Sequence, residues 1–500
     1  MDIKKFREAG YAAIDKICDY YGSLETKPVI AQVEPGWLSK ALPTEAPQKG
    51  EPFERVEEDF QKLILPGITH WQHPSFFAYF PSPVTFEGIL GDLYSSSLSN
   101  PGFNWICSPA CTELESVVMD WAAKLFGLQE EFHVASGKGG GVIMSTASEA
   151  ALTALVAARS RFQTKYPDVP LEKLVIYGTT QTHIMGKKAA AILGLQFRPL
   201  KVIKGDNYSL RGKVLKKALE EDQRKGLKPF GLIATIGTTS SGAIDNVEEI
   251  GQILRDYPDI WLHVDAAWAG VVLSCPEYRD VAQLPAINKY ATSFCTNFHK
   301  WGLVNFDAST LWVRERTDLT NALDLTPEYL RTKHGDSGAV IDYRNWQLPL
   351  GRKFRALKIW FVLRGFGVEG FQAHIRKGIK LAQLFADHLQ LPSNVSPRFE
   401  LVTPVSFSLV VFRLLPPGDR SEMATEEINE LNKAYFARLS ARSDSIFLVQ
   451  TLLDDIFCIR FAVGAERTGP EHIGGAWKII KEEAEGALEE WSKSTAKARL

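Results

Sequence analysis

The sequence predicts an α/β protein built on a large, mostly parallel sheet, with a helical N-terminal arm and a small C-terminal α+β domain. Two observations carry this. Between Gly139 and about Val313, apolar runs rich in β-branched residues alternate with amphipathic helical stretches; the runs are LVIYG from 174, FGLIATIG from 230, IWLHVDAAWAG from 260 and SFCTNF from 293. Strands that alternate with helices build parallel sheets. On either side of this region the pattern changes, to helical spacing alone before it and to a mixture of apolar runs and helices after it.

The elements follow in chain order. From Ile3 to about Tyr21 apolar residues recur at helical spacing, and Pro28, Pro35, Pro43, Pro47 and Pro52 then break the chain into an extended connector. Such an arm has little core of its own and is expected to pack on a neighbour, in the same chain or in a second subunit. It is assigned to residues 1–85 and the large domain to 86–369. Within the large domain the segment Arg316 to Asp342, containing LTPEYLRTKHGDSGAVID, has no sustained apolar period and reads as a long mobile loop. The stretch FRALKIWFVLRGFG after it is a strongly amphipathic helix. A smaller α+β domain, residues 370–500, carries the apolar runs FSLVVFRL and IFCIRFAV and ends in the helical AWKIIKEEAEGALEEW.

Composition narrows the function classes. In 500 residues, 57 Lys plus Arg face 59 Asp plus Glu for a net charge of −2, with 45% hydrophobic and 23% charged residues. That excludes disordered and fibrous chains and argues against a nucleic-acid binder held by bulk charge. Small molecules or another protein chain are the expected partners. Six cysteines without a C-x-x-C pair suit reduced thiols, the N-terminus lacks the apolar run of a signal peptide, and no stretch approaches ~18 uninterrupted apolar residues. A cytoplasmic location, with no membrane and no metal, is the expectation.

Parallel sheets bind ligands beyond the carboxyl ends of their strands, and four features lie at such ends. Gly137, Lys138, Gly139, Gly140 and Gly141, followed by Thr146, Ala147, Ser148 and Glu149 at a helix start, could cradle a phosphate with backbone N–H groups, hydroxyls and the helix dipole. Asp265 in LHVDAAWAG is a carboxylate where burial demands a partner, such as a protonated pyridine nitrogen. Lys300 in TNFHKWGLVNFD sits among apolar and aromatic residues that would lower its pKa and free the amine to attack a carbonyl. His183 in TTQTHIMGKKAA could stack on a flat ring. Taken singly, each has a structural explanation: a glycine turn, a helix cap, a surface charge, a lone histidine. As an ordered set they are the four handles of pyridoxal 5′-phosphate.

These residues also carry a resemblance. GKGGGVIMSTASEA, HVDAAWAG, NFHKW, HPSFFAYFP, SPACTELE and DYRNWQLPLGRKFRALKIWFVLRGFG are similar to the aromatic-L-amino-acid decarboxylases, over nearly the whole chain. The resemblance implies the pyridoxal-phosphate-dependent transferase fold of type I and a homodimer with active sites at the subunit interface, in which the N-terminal arm is exchanged. It implies that Lys300 holds the cofactor, Asp265 takes the pyridine nitrogen and His183 stacks on the ring. Thr146, Ala147, Ser148, Asn297 and His299 would surround the phosphate, with Thr239 nearby and Ala267 on the other ring face. Trp71, Tyr79, Phe80, Pro81 and Phe103 would form the aromatic side-chain pocket, with Ser82 where animal members usually carry threonine.

The activity implied is loss of carbon dioxide from an aromatic L-amino acid, giving an aryl-alkylamine. Tyr329, matching the family's loop tyrosine, is the expected proton donor to Cα, with His183. Relatives with phenylalanine there make aldehydes instead. Gly351 matches a position where glycine accompanies indolic and serine phenolic substrates in plant relatives, so L-tryptophan is favoured and 5-hydroxytryptophan is plausible, with tyrosine, DOPA or phenylalanine as alternatives. An intact Lys300 argues against a non-enzymatic scaffold, and Tyr329 with the extended match argues against an aminotransferase.

Overall fold

The computed structural model describes residues 1–392, 394–418 and 423–498, with side chains described to residue 493. Seven strands make the large sheet: β1 (Gly140–Met144), β2 (Leu174–Thr179), β3 (Gln196–Leu200), β4 (Lys228–Thr235), β5 (Trp261–Asp265), β6 (Ser293–Asn297) and β7 (Ser309–Val313). Their spatial order is β1-β7-β6-β5-β4-β2-β3. Strands β3, β2, β4, β5 and β6 pair in parallel, whereas β7 runs antiparallel to both β6 and β1. Two reversals restore direction, so β1 points the same way as β6. The carboxyl ends of β1, β2, β4, β5 and β6 therefore share one edge.

Helices cover both faces, which is why β1, β2, β5, β6 and β7 are buried along their whole length and read as continuous apolar runs. Side chains alternate between the two cores. In β5, Leu262 and Val264 enter one and Trp261 the other, together with Cys295 of β6. Three strands escaped the reading of the sequence. β3 is a half-exposed edge strand containing Pro199, which an edge tolerates because one side of the strand needs no partner. β7 is a short apolar stretch directly behind the lysine segment. β1 was hidden by its glycines. A Cβ at Gly139 would overlap the Glu131 carbonyl, and one at Gly141 would overlap Met119 and Trp312. These glycines admit close neighbours and are not the phosphate cradle expected of them; only the residues after β1 reach the ligand edge.

The segment expected to be a loop from Arg316 to Asp342 begins as a helix, Thr317–Leu323. Leu319 is buried in the core shared with helix Ala147–Lys165, and Asp318 pairs with Arg161 at 3.2 Å. One buried leucine and one ion pair anchor these roughly two turns without a long amphipathic period. Beyond it only short turns occur, at Glu328–Leu330 and Lys333–Asp336.

Helix Arg355–Leu389 leaves helical geometry only at Gly367, whose φ of +63° suits glycine, and enters the C-terminal region. There β8 (Phe399–Leu401), β9 (Leu409–Leu414), β10 (Val449–Leu453) and β11 (Ile456–Ala462) form an antiparallel sheet in the order β10-β11-β9-β8. Helices Thr425–Ala441 and Pro470–Ala498 pack on it. Phe385 and Phe77 both stack on Phe461, at 3.7 and 4.1 Å between ring centroids, so residues near Phe77 are built into this core. Helix Ile3–Gly22, by contrast, is capped by Asp2 but buries none of its residues; Ile3, Phe6 and Tyr11 lie exposed. Among the described residues no helix is long and apolar enough to cross a membrane.

Candidate active site

The shared edge of the sheet opens into a cavity of about 250 Å³. Thr146, Ala147, Ser148, His183, Thr239, Asp265, Ala267, Asn297, His299 and Lys300 all line it. Each comes from a strand end. β1 leads into helix Ala147–Lys165, whose N-cap Thr146 accepts a hydrogen bond from Glu149 N at 3.2 Å. Glu149 turns back to accept from Ser145 N at 2.8 Å. This capping pair fixes the helix start and leaves the N–H groups of Ala147 and Ser148 without capping partners, at the positive end of a 19-residue helix.

β6 ends at Asn297 and passes into a single helical turn, Phe298–Trp301, which carries His299 and Lys300. His299 Nδ1 accepts from Ala308 N at 2.7 Å, so the ring hydrogen resides on Nε2. Burial, with Lys300 next to it, pushes its pKa down to about 3, and the ring stays neutral. Lys300 Nζ makes no hydrogen bond or ion pair among the described residues and lies 5.5 Å from the centroid of Phe80. Burial lowers its pKa despite the opposing pull of Asp265. Asp265, 3% exposed at the end of β5, accepts from Ala267 N at 3.0 Å through Oδ1. No hydrogen bond among the described residues engages its Oδ2.

His183 caps helix Ile184–Leu193, its Nδ1 accepting from Met185 N at 3.2 Å. Burial against the cavity lowers its pKa, although the ring is open to solvent at the mouth. The cavity also takes in Met185, Thr235, Gly237, Trp268 and Phe306, which reading the sequence did not single out. Thr235 and Gly237 lie on the same strand end as Thr239, where the strand-end rule directs the search.

Of the aromatic pocket, only Phe80 borders the cavity, and it stacks on Trp268 at 4.4 Å. Arg460 covers it, 4.9 Å from the ring centroid, with Nη2 donating to the Tyr79 carbonyl at 3.1 Å. Nothing local in the sequence marks Arg460, since its partners lie some 380 residues away. Pro81 is buried against Gly464, and the Ser82 carbonyl accepts from Gln72. Trp71 and Tyr79 stack at 5.6 Å on the surface, outside the cavity. Phe103, Gly351 and Tyr329 are also away from it. The Phe103 carbonyl accepts from Arg344 N at 3.1 Å, and Arg352 N donates to the Pro101 carbonyl at 2.7 Å, so Phe103 and Gly351 belong to one surface patch. Tyr329 is 80% exposed.

The donor set fits pyridoxal phosphate. Free helix N–H groups and the His299 Nε2–H suit a phosphate, and the buried Asn297 side chain, whose Oδ1 accepts from no group among the described residues, can take a donor from its surroundings. Asp265 Oδ2 suits a protonated ring nitrogen, and a half-buried Lys300 with no hydrogen bond or ion pair among the described residues suits an aldehyde.

Comparison with known proteins agrees. A family model described as the pyridoxal-dependent decarboxylase conserved domain matches residues 35–415. Tyrosine decarboxylase 2 of Narcissus pseudonarcissus is 46% identical, covering 97% of this chain and 95% of its own. Tryptophan decarboxylase 2 of Oryza sativa subsp. japonica is 44% identical, covering 98% and 96%. Phenylacetaldehyde synthase of Arabidopsis thaliana is 45% identical, covering 97% and 96%. The crystal structure of Oryza sativa TDC with PLP and tryptamine matches with a TM-score of 0.93 at 35% identity, covering 98% of this chain and 99% of that one. The chain thus belongs to the aromatic-L-amino-acid decarboxylase family of pyridoxal-dependent decarboxylases, with a type I fold and pyridoxal 5′-phosphate as cofactor.

Proposed function

We propose that this protein decarboxylates an aromatic L-amino acid to its amine, with L-tryptophan preferred, 5-hydroxytryptophan accepted, and a homodimer as the working unit in the cytoplasm. The observation that carries the reaction class is the juxtaposition, in one cavity, of a half-buried lysine and a carboxylate oxygen, both without a hydrogen-bond partner among the described residues, and a helix start. Pyridoxal phosphate, when bound, supplies a carbonyl that takes up the substrate amine and a ring that accepts the electron pair left by the departing carboxylate. Lys300 would hold the cofactor between turnovers. Asp265 would keep the ring nitrogen protonated. Thr146, Ala147, Ser148, Asn297 and His299 would grip the phosphate, with Thr239 beside it. His183 and Ala267 would confine the two ring faces.

Decarboxylation needs a proton delivered to Cα and protection from oxygen. Tyr329 is our donor, with His183, and its exposure supports a residue that acts only after its segment closes over a cavity, its own or a second copy's. The homodimer reading is supported by helix Ile3–Gly22 without buried residues, by a groove of about 960 Å³ beside it lined by Ile17, Tyr20, Phe53, Val56 and Phe60, and by the surface position of Trp71, Tyr79, Phe103 and Gly351. A second copy would bring such residues over the cavity, and sedimentation should give twice the chain mass.

Replacement of Tyr329 by Phe should divert product from amine towards aldehyde, ammonia and peroxide; unchanged amine with no peroxide would remove the donor role. That assay also addresses the second reading, an aldehyde synthase like the Arabidopsis relative, which the presence of Tyr329 and His183 disfavours. Substrate choice rests on Gly351, which leaves room for an indole. The deciding measurement is kcat/KM for tryptophan, tyrosine, DOPA and phenylalanine on purified enzyme, and a preference for tyrosine would overturn the tryptophan reading.

A further inference from the structure

Beneath the cavity floor, β5 and β6 present a polar ladder inside an otherwise apolar layer. Trp261, His263 and Asp265 lie on one face of β5, and Ser293 and Cys295 lie on the matching face of β6, with His263 opposite Ser293 and Asp265 opposite Cys295. All five are buried. Trp261 Nε1 reaches Ser293 Oγ at 2.7 Å, Ser293 Oγ reaches His263 Nδ1 at 2.8 Å, His263 Nε2 reaches Cys295 Sγ at 3.5 Å, and Cys295 Sγ reaches Asp265 Oδ1 at 3.8 Å. We propose that these residues form a one-way chain of hydrogen-bond donors ending on the Asp265 carboxylate, which makes His263 and Cys295 positioning residues for the group that faces the cofactor ring. The proposal rests on Asp265 taking the ring nitrogen.

The direction follows from what each atom can do. An indole nitrogen only donates, so Ser293 Oγ accepts from Trp261. The Ser293 hydrogen has His263 Nδ1 as its one acceptor among the described residues, which puts the ring hydrogen on Nε2. That hydrogen points at Cys295 Sγ, and the thiol hydrogen is left with Asp265 Oδ1. Reversal at any link would leave a buried donor without an acceptor, a cost native interiors avoid. Burial supports the protonation states this requires. It pushes the His263 pKa down to about 4, keeping the ring neutral, and pushes the Cys295 thiol well above its ordinary range, keeping its hydrogen. Two donors, Ala267 N and Cys295 Sγ, then converge on Oδ1 and leave Oδ2 turned to the ligand. A carboxylate fixed this way keeps its aim, as the hydrogen-bond partners of metal-ligating side chains do for theirs.

The test uses the cofactor-loaded protein with 15N-labelled histidine. The ring resonances that move in Cys295→Ser identify His263, and they should report a hydrogen on Nε2, a bare Nδ1 and no titration between about pH 6 and 8. A hydrogen on Nδ1, or titration in that range, would overturn the chain without recourse to any destabilised variant. Cys295→Ala should weaken retention of pyridoxal phosphate about three- to tenfold, as a thiol is a weak donor, and Cys295→Ser should restore most of it. Retention unchanged in Asp265→Asn would instead remove the underlying assignment of Asp265. Weakened retention in Asp265→Asn with none in Cys295→Ala or His263→Gln would remove the donor chain alone.

Discussion

The two halves of the site differ in how complete one chain makes them. The cofactor half is assembled: ten residues from five strand ends converge on one cavity, and hydrogen bonds fix the side chains of Thr146, His183, Asp265 and His299 there. The half assigned to the substrate ring lies largely on the surface, with Trp71 and Tyr79 stacked in the open, Phe103 and Gly351 in a separate patch and Tyr329 exposed. The difference teaches that the cavity at the strand ends is preformed in the sheet, whereas the residues proposed for substrate recognition and closure lie mostly outside it.

The sharpest way to break that contrast is Lys300→Ala. It should abolish turnover by more than about a thousandfold and remove the visible absorbance of lysine-bound cofactor, while thermal unfolding stays near that of the parent. Loss of activity through unfolding instead would mean the cavity is not independently stable. Next comes Arg352, which neighbours Gly351 and pairs with Glu115 through Nη1 at 2.8 Å and Nη2 at 2.6 Å, both side chains 4% exposed. Arg352→Met strands a buried carboxylate and should cost about 3–5 kcal/mol of stability, measured by denaturant unfolding. An unchanged midpoint would show that the patch carrying Gly351 is not anchored there.

Acid separates the halves in a third way. Burial holds His263 at about 4 and His299 at about 3. Their folded pKa values lie below the ordinary 6.5, so the stability they confer is present above pH 6.5 and is lost as pH falls from there towards 4, on the order of 3 kcal/mol for His263 alone. Unfolding midpoints across this range should fall with acid; a flat profile would contradict neutral buried rings. The smallest effect belongs to the exposed half. A side chain at Gly351 meets nothing within 4 Å, so Gly351→Ser should leave stability untouched and lower the kcat/KM ratio of tryptophan to tyrosine a few-fold, about 1 kcal/mol.

The same contrast explains what could be read from the sequence. Asp265 and Lys300 were legible because fully buried strands write apolar runs, and charged residues at their ends stand out, whereas Asn297 and His299 entered only through the family resemblance. Gly139 and Gly141 misled because a glycine run signals a cradle and a tight packing contact in the same letters; only the positions of Met119, Trp312 and Glu131 distinguish them. Thr317–Leu323 was missed because one buried leucine gives no period. Arg460 and the ladder from Trp261 to Cys295 depend on pairings between distant segments or adjacent strands, which a linear pattern does not encode.

Strand β7 has a consequence of another kind. Because it runs against both neighbours, it brings its entering end, not its exit, to the ligand edge, where the chain leading into it places Phe306 in the cavity lining and Ala308 N against His299. It works as a spacer. The segment leaving β1 and the lysine turn leaving β6 stand two strand widths apart, about 10 Å, with the chain that enters β7 between them. The sheet thereby acts as a ruler: the reach required of any molecule that touches both ends is set by counting strands, before a single contact chooses its chemistry.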